Sequence, residues 1–205
     1  MRWKVLLVGS MAFVLVGGAG AGVRPKVTLI GDSVADKMRP DPVAMARLND
    51  GFRVNLQTRG CRATVTPSCT VDGYSGPPPT VLDVVNRFGR WLGRIVVVET
   101  GYNDTPEEYG HDLDTVMAAL QGWHVQTVIW LTLHDPRPAY QGLNAIIRAA
   151  PKRWSQMMVA DWGAYATGHP DWFHPDGIHP TPAGAENLAT FIHSALLRSE
   201  LKQHA

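Results

Sequence analysis

Five apolar runs punctuate the chain, at 26–32, 52–58, 94–100, 125–133 and 155–161. Stretches such as Ile95-Val96-Val97-Val98 do not alternate with polar residues, which predicts strands buried on both faces. The segments between them read as helices over Ala44–Leu48, Thr80–Trp91, Pro106–Leu120, Leu143–Ala150 and Pro182–Leu201. Their ends carry helix signals. Pro77-Pro78-Pro79 halts any extended strand and delivers the chain to a helix start. Glu107 and Glu108 stand in a first turn, where the helix dipole favours negative charge. Pro151 ends the fourth helix, and Thr181 before Pro182 fits an N-cap. In the last helix Leu188, Phe191, Ile192, Ala195 and Leu196 follow helical spacing. Strand and helix in alternation predict one α/β domain with three α/β/α layers and five parallel strands wound as in flavodoxin. Such winding brings the loops that follow the strands to one edge of the sheet.

The first residues have another character. Arg2 and Lys4 precede an apolar run from Val5 to Val16, and Ala19-Gly20-Ala21 fits a small-x-small cleavage site. This predicts an export signal over 1–21 and a mature domain over 22–205. The alternative is an uncleaved anchor, because Val5 to Val23 spans 19 residues without a charge. A bilayer span needs about 20 residues, and glycines in the second half of this run weaken a spanning helix. Any membrane association is expected through this segment alone. No cysteine follows the run, which argues against a lipid anchor.

Composition narrows the partners. Without 1–21, 17 basic residues face 18 acidic ones, and no basic cluster stands out. Nucleic acid is therefore not an expected partner. Forty-five per cent apolar residues suffice for the core of one domain, expected as a monomer. Cys61 and Cys69 are the only cysteines. In an exported chain they are expected to form a disulfide, with two buried free thiols as the alternative.

Candidate chemistry lies where apolar runs end. Gly31-Asp32-Ser33-Val34 follows Val27-Thr28-Leu29-Ile30, and Gly101-Tyr102-Asn103-Asp104 follows Ile95-Val96-Val97-Val98. Asp176-Gly177-Ile178-His179-Pro180 stands just before the last helix. A serine at the carboxyl end of a buried strand faces the crevice of an α/β sheet. In that order, these segments resemble the SGNH (GDSL-type) hydrolase family. The resemblance assigns Ser33 to the first block, Gly60 to the second by position, Asn103 to the third and His179 to the fifth, with Asp176 three residues before it. It runs from Lys26 to about Leu197 and implies the SGNH hydrolase fold. The first motif reads GDSV rather than GDSL, a form similar to SGNH domains acting on acyl groups of cell-envelope polysaccharides, including those attached to membrane acyltransferases.

The residue types suit acyl transfer. A serine hydroxyl attacks only when a base takes its proton. His179 is the candidate base, and Asp176 can accept the other ring N–H and fix the tautomer. The oxyanion formed by the attack needs donors. The amides of Ser33 and Gly60 and the side-chain NH2 of Asn103 are the candidates. Substrates are expected to be small esters or acylated glycans, with no metal and no organic cofactor required. Hydrolysis and transfer to a sugar hydroxyl both remain open.

Rival readings exist. His169, Asp171, His174, Asp176 and His179 form a His/Asp-rich loop that could serve a metal-dependent hydrolase, although the spacing is poor for ligands. A glycan-binding module could keep the same fold without catalysis. Asp32 reads as a turn brace and Asp104 as the start of the next helix. Tyr102 and Trp172 are candidates for cleft contact, with Trp162 and Phe173 nearby. His111, His124, His134 and His193 read as surface or packing histidines.

Overall fold

A computed structural model describes residues 23–203 apart from Tyr74, Asp135 and Pro136. The expected signal or anchor over 1–21 lies outside the described residues. Among the described residues, no helix is long and apolar enough to cross a membrane.

The strands are β1 (Lys26–Gly31), β2 (Arg53–Thr58), β3 (Ile95–Glu99), β4 (Thr127–Leu131) and β5 (Met157–Ala160). All pair in parallel, in the order β2-β1-β3-β4-β5, which is the flavodoxin-like winding expected. The chain leaves β1 for β2 on one side and returns to β3 on the other. A crevice opens at that reversal, beyond the carboxyl end of β1.

The helices are α1 (Ser33–Asp36), α2 (Pro42–Leu48), α3 (Val81–Phe88), α4 (Pro106–Gly122), α5 (Pro138–Ala149), α6 (Trp162–Tyr165) and α7 (Pro182–Gln203). The five expected helices are present with shifted ends. The first starts at Pro42, whose missing N–H is harmless at N1, and Asp41 caps it through the amides of Val43 and Ala44. The second stops at Phe88 and passes into a 3₁₀ turn, Gly89–Trp91. Thr80 and Asp83 close a capping box at its start. The fourth starts at Pro138 rather than Leu143. The short helices α1 and α6 have too few turns to give a periodic signal.

Successive strand residues feed opposite faces. Val27 and Leu29 of β1, Ile95 and Val97 of β3, and Ile129 and Leu131 of β4 pack beneath α1, α2 and α7. Ile30, Val96, Val98, Val128 and Trp130 pack beneath α3, α4 and α5. Burying both faces explains the continuous apolar runs. Each such side chain contributes on the order of 1.5–3 kcal/mol. The two cores hold the sheet rigid and leave its carboxyl edge to carry loops.

Candidate active site

Gly31 ends β1 where a side chain cannot fit. A Cβ there would lie 2.4 Å from the Cβ of Ala35. The backbone therefore turns sharply into α1, and Ser33 takes its first position. Asp32 caps the turn: its Oδ1 accepts from the amide of Val34 at 2.9 Å. The expected role of Asp32 as a brace is present, and it reaches further, because its Oδ2 also accepts from Asn103 Nδ2 at 3.4 Å.

The loop before α7 comes back over this turn. Phe173 and Pro180 pair as an isolated antiparallel bridge, and the amide of His174 donates to the carbonyl of His179 at 2.9 Å. Inside this hairpin Asp176 Oδ1 accepts from the amides of Ile178 and His179 at 2.8 and 2.9 Å. Its Oδ2 lies 2.8 Å from His179 Nδ1, and His179 Nε2 lies 2.9 Å from Ser33 Oγ. A carboxylate only accepts, so Nδ1 carries the proton and Nε2 presents its lone pair to the serine hydroxyl. Burial by itself would raise the Asp176 carboxyl. The Ile178 amide, the His179 ring and the His179 amide outweigh it and hold the group at about 2.

The other donor candidates gather from two further loops. A Cβ placed on Gly60 would lie 3.9 Å from the Cβ of Ser33 and 3.2 Å from Cγ2 of Val71, so this residue sits beside the serine under a tight cover. The next residue, Cys61, is joined to Cys69 and has φ +63°, a left-handed conformation. Asn103 Nδ2 donates to the carbonyl of Arg62 at 3.2 Å, and Cys69 Sγ lies 3.7 Å from its Oδ1. Arg62 ties this loop down in turn, donating Nε–H to the carbonyl of Gly31 at 3.1 Å and reaching the carbonyls of Pro79 and Thr80.

Several readings of single residues change. Asp104 does not open α4. It accepts from the amide and hydroxyl of Thr64 at 2.8 and 3.1 Å and pins the loop after β2. Trp172, the other cleft candidate, is largely buried. It is 9% exposed, stacks on Trp162 at 6.0 Å, and is covered by His169 at 3.9 Å. Three aromatics in eleven residues pack better with one another than with water, and this cluster roots the histidine loop on α7. Tyr102 is half-buried, and its hydroxyl donates to the carbonyl of His134 at 2.9 Å and accepts the His134 amide at 2.8 Å. Among the described residues, no three His, Cys, Asp or Glu side chains gather in a way that could hold a metal ion.

His134 is the residue that sequence reasoning passed over. It follows β4 at the same edge as Ser33 and Asn103. Its Nδ1 donates to the carbonyl of Gly177 at 3.2 Å, and its ring stacks on Phe173 at 3.9 Å with a 9° tilt. It thus joins the turn bearing Asn103 to the turn bearing Asp176 and His179. Its place directly after the apolar run 125–133 was the available signal.

Two carboxyls lie fully buried under the serine. Burial, then the charge of Asp104, pushes Asp32 up to about 7 against the Val34 amide, Arg62 and the Tyr102 amide. Burial, then the charge of Asp32, holds Glu99 well above the ordinary range although its Oε2 accepts the Ala35 amide at 3.1 Å. Both groups keep a proton in the fold at pH values where the unfolded chain has released it. Stability therefore falls as pH rises above about 4, by about 1.4 kcal/mol per pH unit for each such group, until the folded carboxyl ionises. Glu99→Gln keeps an acceptor for the Ala35 amide and removes one titration. It is expected to lose less stability than the wild type between pH 5 and 8 in thermal denaturation. Equal pH slopes would contradict this account of Glu99.

No protein-family profile matches the chain. O-acetyltransferase OatA of Staphylococcus aureus is 30% identical over 133 residues, which cover 62% of this chain and 21% of that protein. YrhL of Bacillus subtilis, provisionally named a peptidoglycan O-acetyltransferase, is 24% identical over 131 residues, covering 62% of this chain and 20% of that protein. The chain thus spans about a fifth of the length that these relatives have. Among solved structures, a protein of Slackia heliotrinireducens provisionally assigned to the SGNH hydrolases superposes with a TM-score of 0.60 at 14% identity, covering 85% of this chain and 100% of its own.

Proposed function

We propose that this chain, which has the SGNH hydrolase fold, is an exported serine O-acyl esterase or acyltransferase acting on acetylated envelope glycan. The observation that carries the reading is the hydrogen-bonded run from Asp176 through His179 to Ser33, at 2.8 and 2.9 Å. The serine oxygen attacks the acyl carbonyl while His179 Nε2 takes its proton. Asp176 holds the Nδ1 proton and stabilises the imidazolium. Negative charge then gathers on the carbonyl oxygen. The amides of Ser33 and Gly60 and the NH2 of Asn103 are the donors for it, each worth about 3 kcal/mol in the transition state. Asn103 would turn one N–H from its long bonds to Arg62 and Asp32 toward the oxyanion. The imidazolium returns its proton to the departing alcohol and leaves an acyl-serine. Water or a sugar hydroxyl then attacks the acyl-serine by the same steps in reverse.

Three observations support the substrate and compartment. The matched relatives are named O-acetyltransferases, one of them for peptidoglycan. The Cys61–Cys69 bond suits an oxidising compartment. The N-terminal residues follow the pattern of an export signal. The test is incubation with a fluorophosphonate probe, followed by peptide mapping, and with a labelled acetyl ester plus soluble peptidoglycan fragments. The adduct is expected on Ser33. Labelled glycan marks a transferase and labelled acetate alone marks a hydrolase. Neither product, with Ser33 unlabelled, would refute the enzyme.

A further inference from the structure

A cavity of about 990 Å3 lies at the carboxyl ends of β4 and β5, between α5, α6 and the histidine loop. Its walls include His134, Gln141, Arg148, Ala164, His174 and Gly177. We infer that it is a carbohydrate subsite, which holds the glycan portion of the acylated donor or of the acceptor next to the acyl-transfer centre.

Position is the first argument. Gly177 stands between Asp176 and His179, so this wall is two residues from the base, at most about 7 Å along the chain between Cα atoms. On the opposite side His134 is bonded to Tyr102, the neighbour of Asn103. The cavity is therefore tied by short covalent and hydrogen-bonded paths to the loops that carry the base and the carboxamide. It lies at the same carboxyl edge of the sheet as the acyl-transfer centre, beyond β4 and β5 rather than at the reversal beside β1.

Size and lining are the second argument. The volume is at the upper end for ligand sites, far more than an acetyl group fills. Imidazole, amide and guanidinium groups mixed with Leu133, Ala164, Phe173 and two prolines make a wall that is apolar in patches and polar between them. A sugar ring presents the complement, hydroxyls around its rim and C–H groups on its faces. A long acyl chain would cover polar side chains such as Gln141 and His174 and offer them no hydrogen bonds. Glycines 163, 168 and 177 bring the backbone itself to the surface of the cavity. This assignment rests on the esterase reading for its biological substrate, while the binding it predicts can be measured without turnover.

Ala164→Trp and Gln141→Trp fill the cavity from two different elements, and both positions are exposed and outside the acyl-transfer residues. Each is expected to leave kcat/KM for p-nitrophenyl acetate within about twofold and to raise KM for an O-acetylated peptidoglycan tetrasaccharide at least tenfold. Calorimetry gives the independent reading. Ser33→Ala protein is expected to bind the unacetylated tetrasaccharide, and adding either tryptophan is expected to weaken that binding at least tenfold. If the wild type cleaves no ester but the calorimetric pattern holds, the enzyme reading fails and the subsite stands. Tetrasaccharide kinetics and binding untouched by both tryptophans, no binding at all, or a defect confined to longer acyl esters would overturn the subsite.

Discussion

Ser33→Ala is expected to reduce kcat for p-nitrophenyl acetate by about 10⁶-fold, the loss seen when a nucleophile that works as a unit with its base is removed. The substitution deletes one oxygen and leaves the turn intact. Asp32 still caps Val34, and Gly31 still makes the bend that a side chain would block. The melting temperature is therefore expected to stay within about 3 °C, since a change at a half-exposed site away from the core is worth a few tenths of a kcal/mol. The donors for the oxyanion would also survive, and the residual rate would report what they supply alone. Steady-state kinetics beside calorimetric melting separate the two effects. A variant that retains a tenth of the wild-type kcat would show that residue 33 is not the nucleophile.

Strong local patterns made the sheet legible before any coordinates. Runs such as Ile95–Val98 have to be buried on both faces, and a parallel sheet between two helix layers is the arrangement that does this. The turn residues after β1 and β3 were legible for a related reason, because chemistry placed at strand ends appears in sequence as glycine and small polar residues after apolar runs. What stayed hidden depends on long-range contact. His134 gains its place from Tyr102, 32 residues before it, and Gly177, 43 residues after it. No local spacing encodes such a pair. The burial of Trp172 was not legible, because an aromatic beside a site loop looks the same in sequence whether it faces a cleft or a core. Its packing on Trp162 and Tyr165 depends on where α6 sits, and α6 is a single short turn. Asp104 and Arg62 act across loops that meet only when the sheet is formed.

Asp176→Asn gives the sharpest test of proton placement, with an expected fall in kcat of about 10⁴-fold from a change of one atom. The wild-type carboxylate serves two sets of donors at once. Oδ1 holds the amides of Ile178 and His179, and Oδ2 holds the proton on His179 Nδ1. An asparagine has one acceptor oxygen. If that oxygen keeps the two amides, its NH2 points at Nδ1 and the ring must place its proton on Nε2. Nε2 then donates to Ser33 instead of accepting from it, and the hydroxyl has no base. The hairpin itself should persist, because the amide bonds and the Phe173–Pro180 bridge do not need the charge. The pH dependence distinguishes this from a loss of fold. With the Asp176 carboxyl held at about 2, it stays ionised across the working range of the wild type. The acidic limb of the kcat/KM profile should therefore not report protonation of this carboxyl. In the asparagine variant the residual rate should rise with hydroxide concentration instead, because water-borne base replaces the ring. An unchanged bell-shaped profile at nearly full rate would mean that Asp176 supports the hairpin and takes no part in fixing the tautomer.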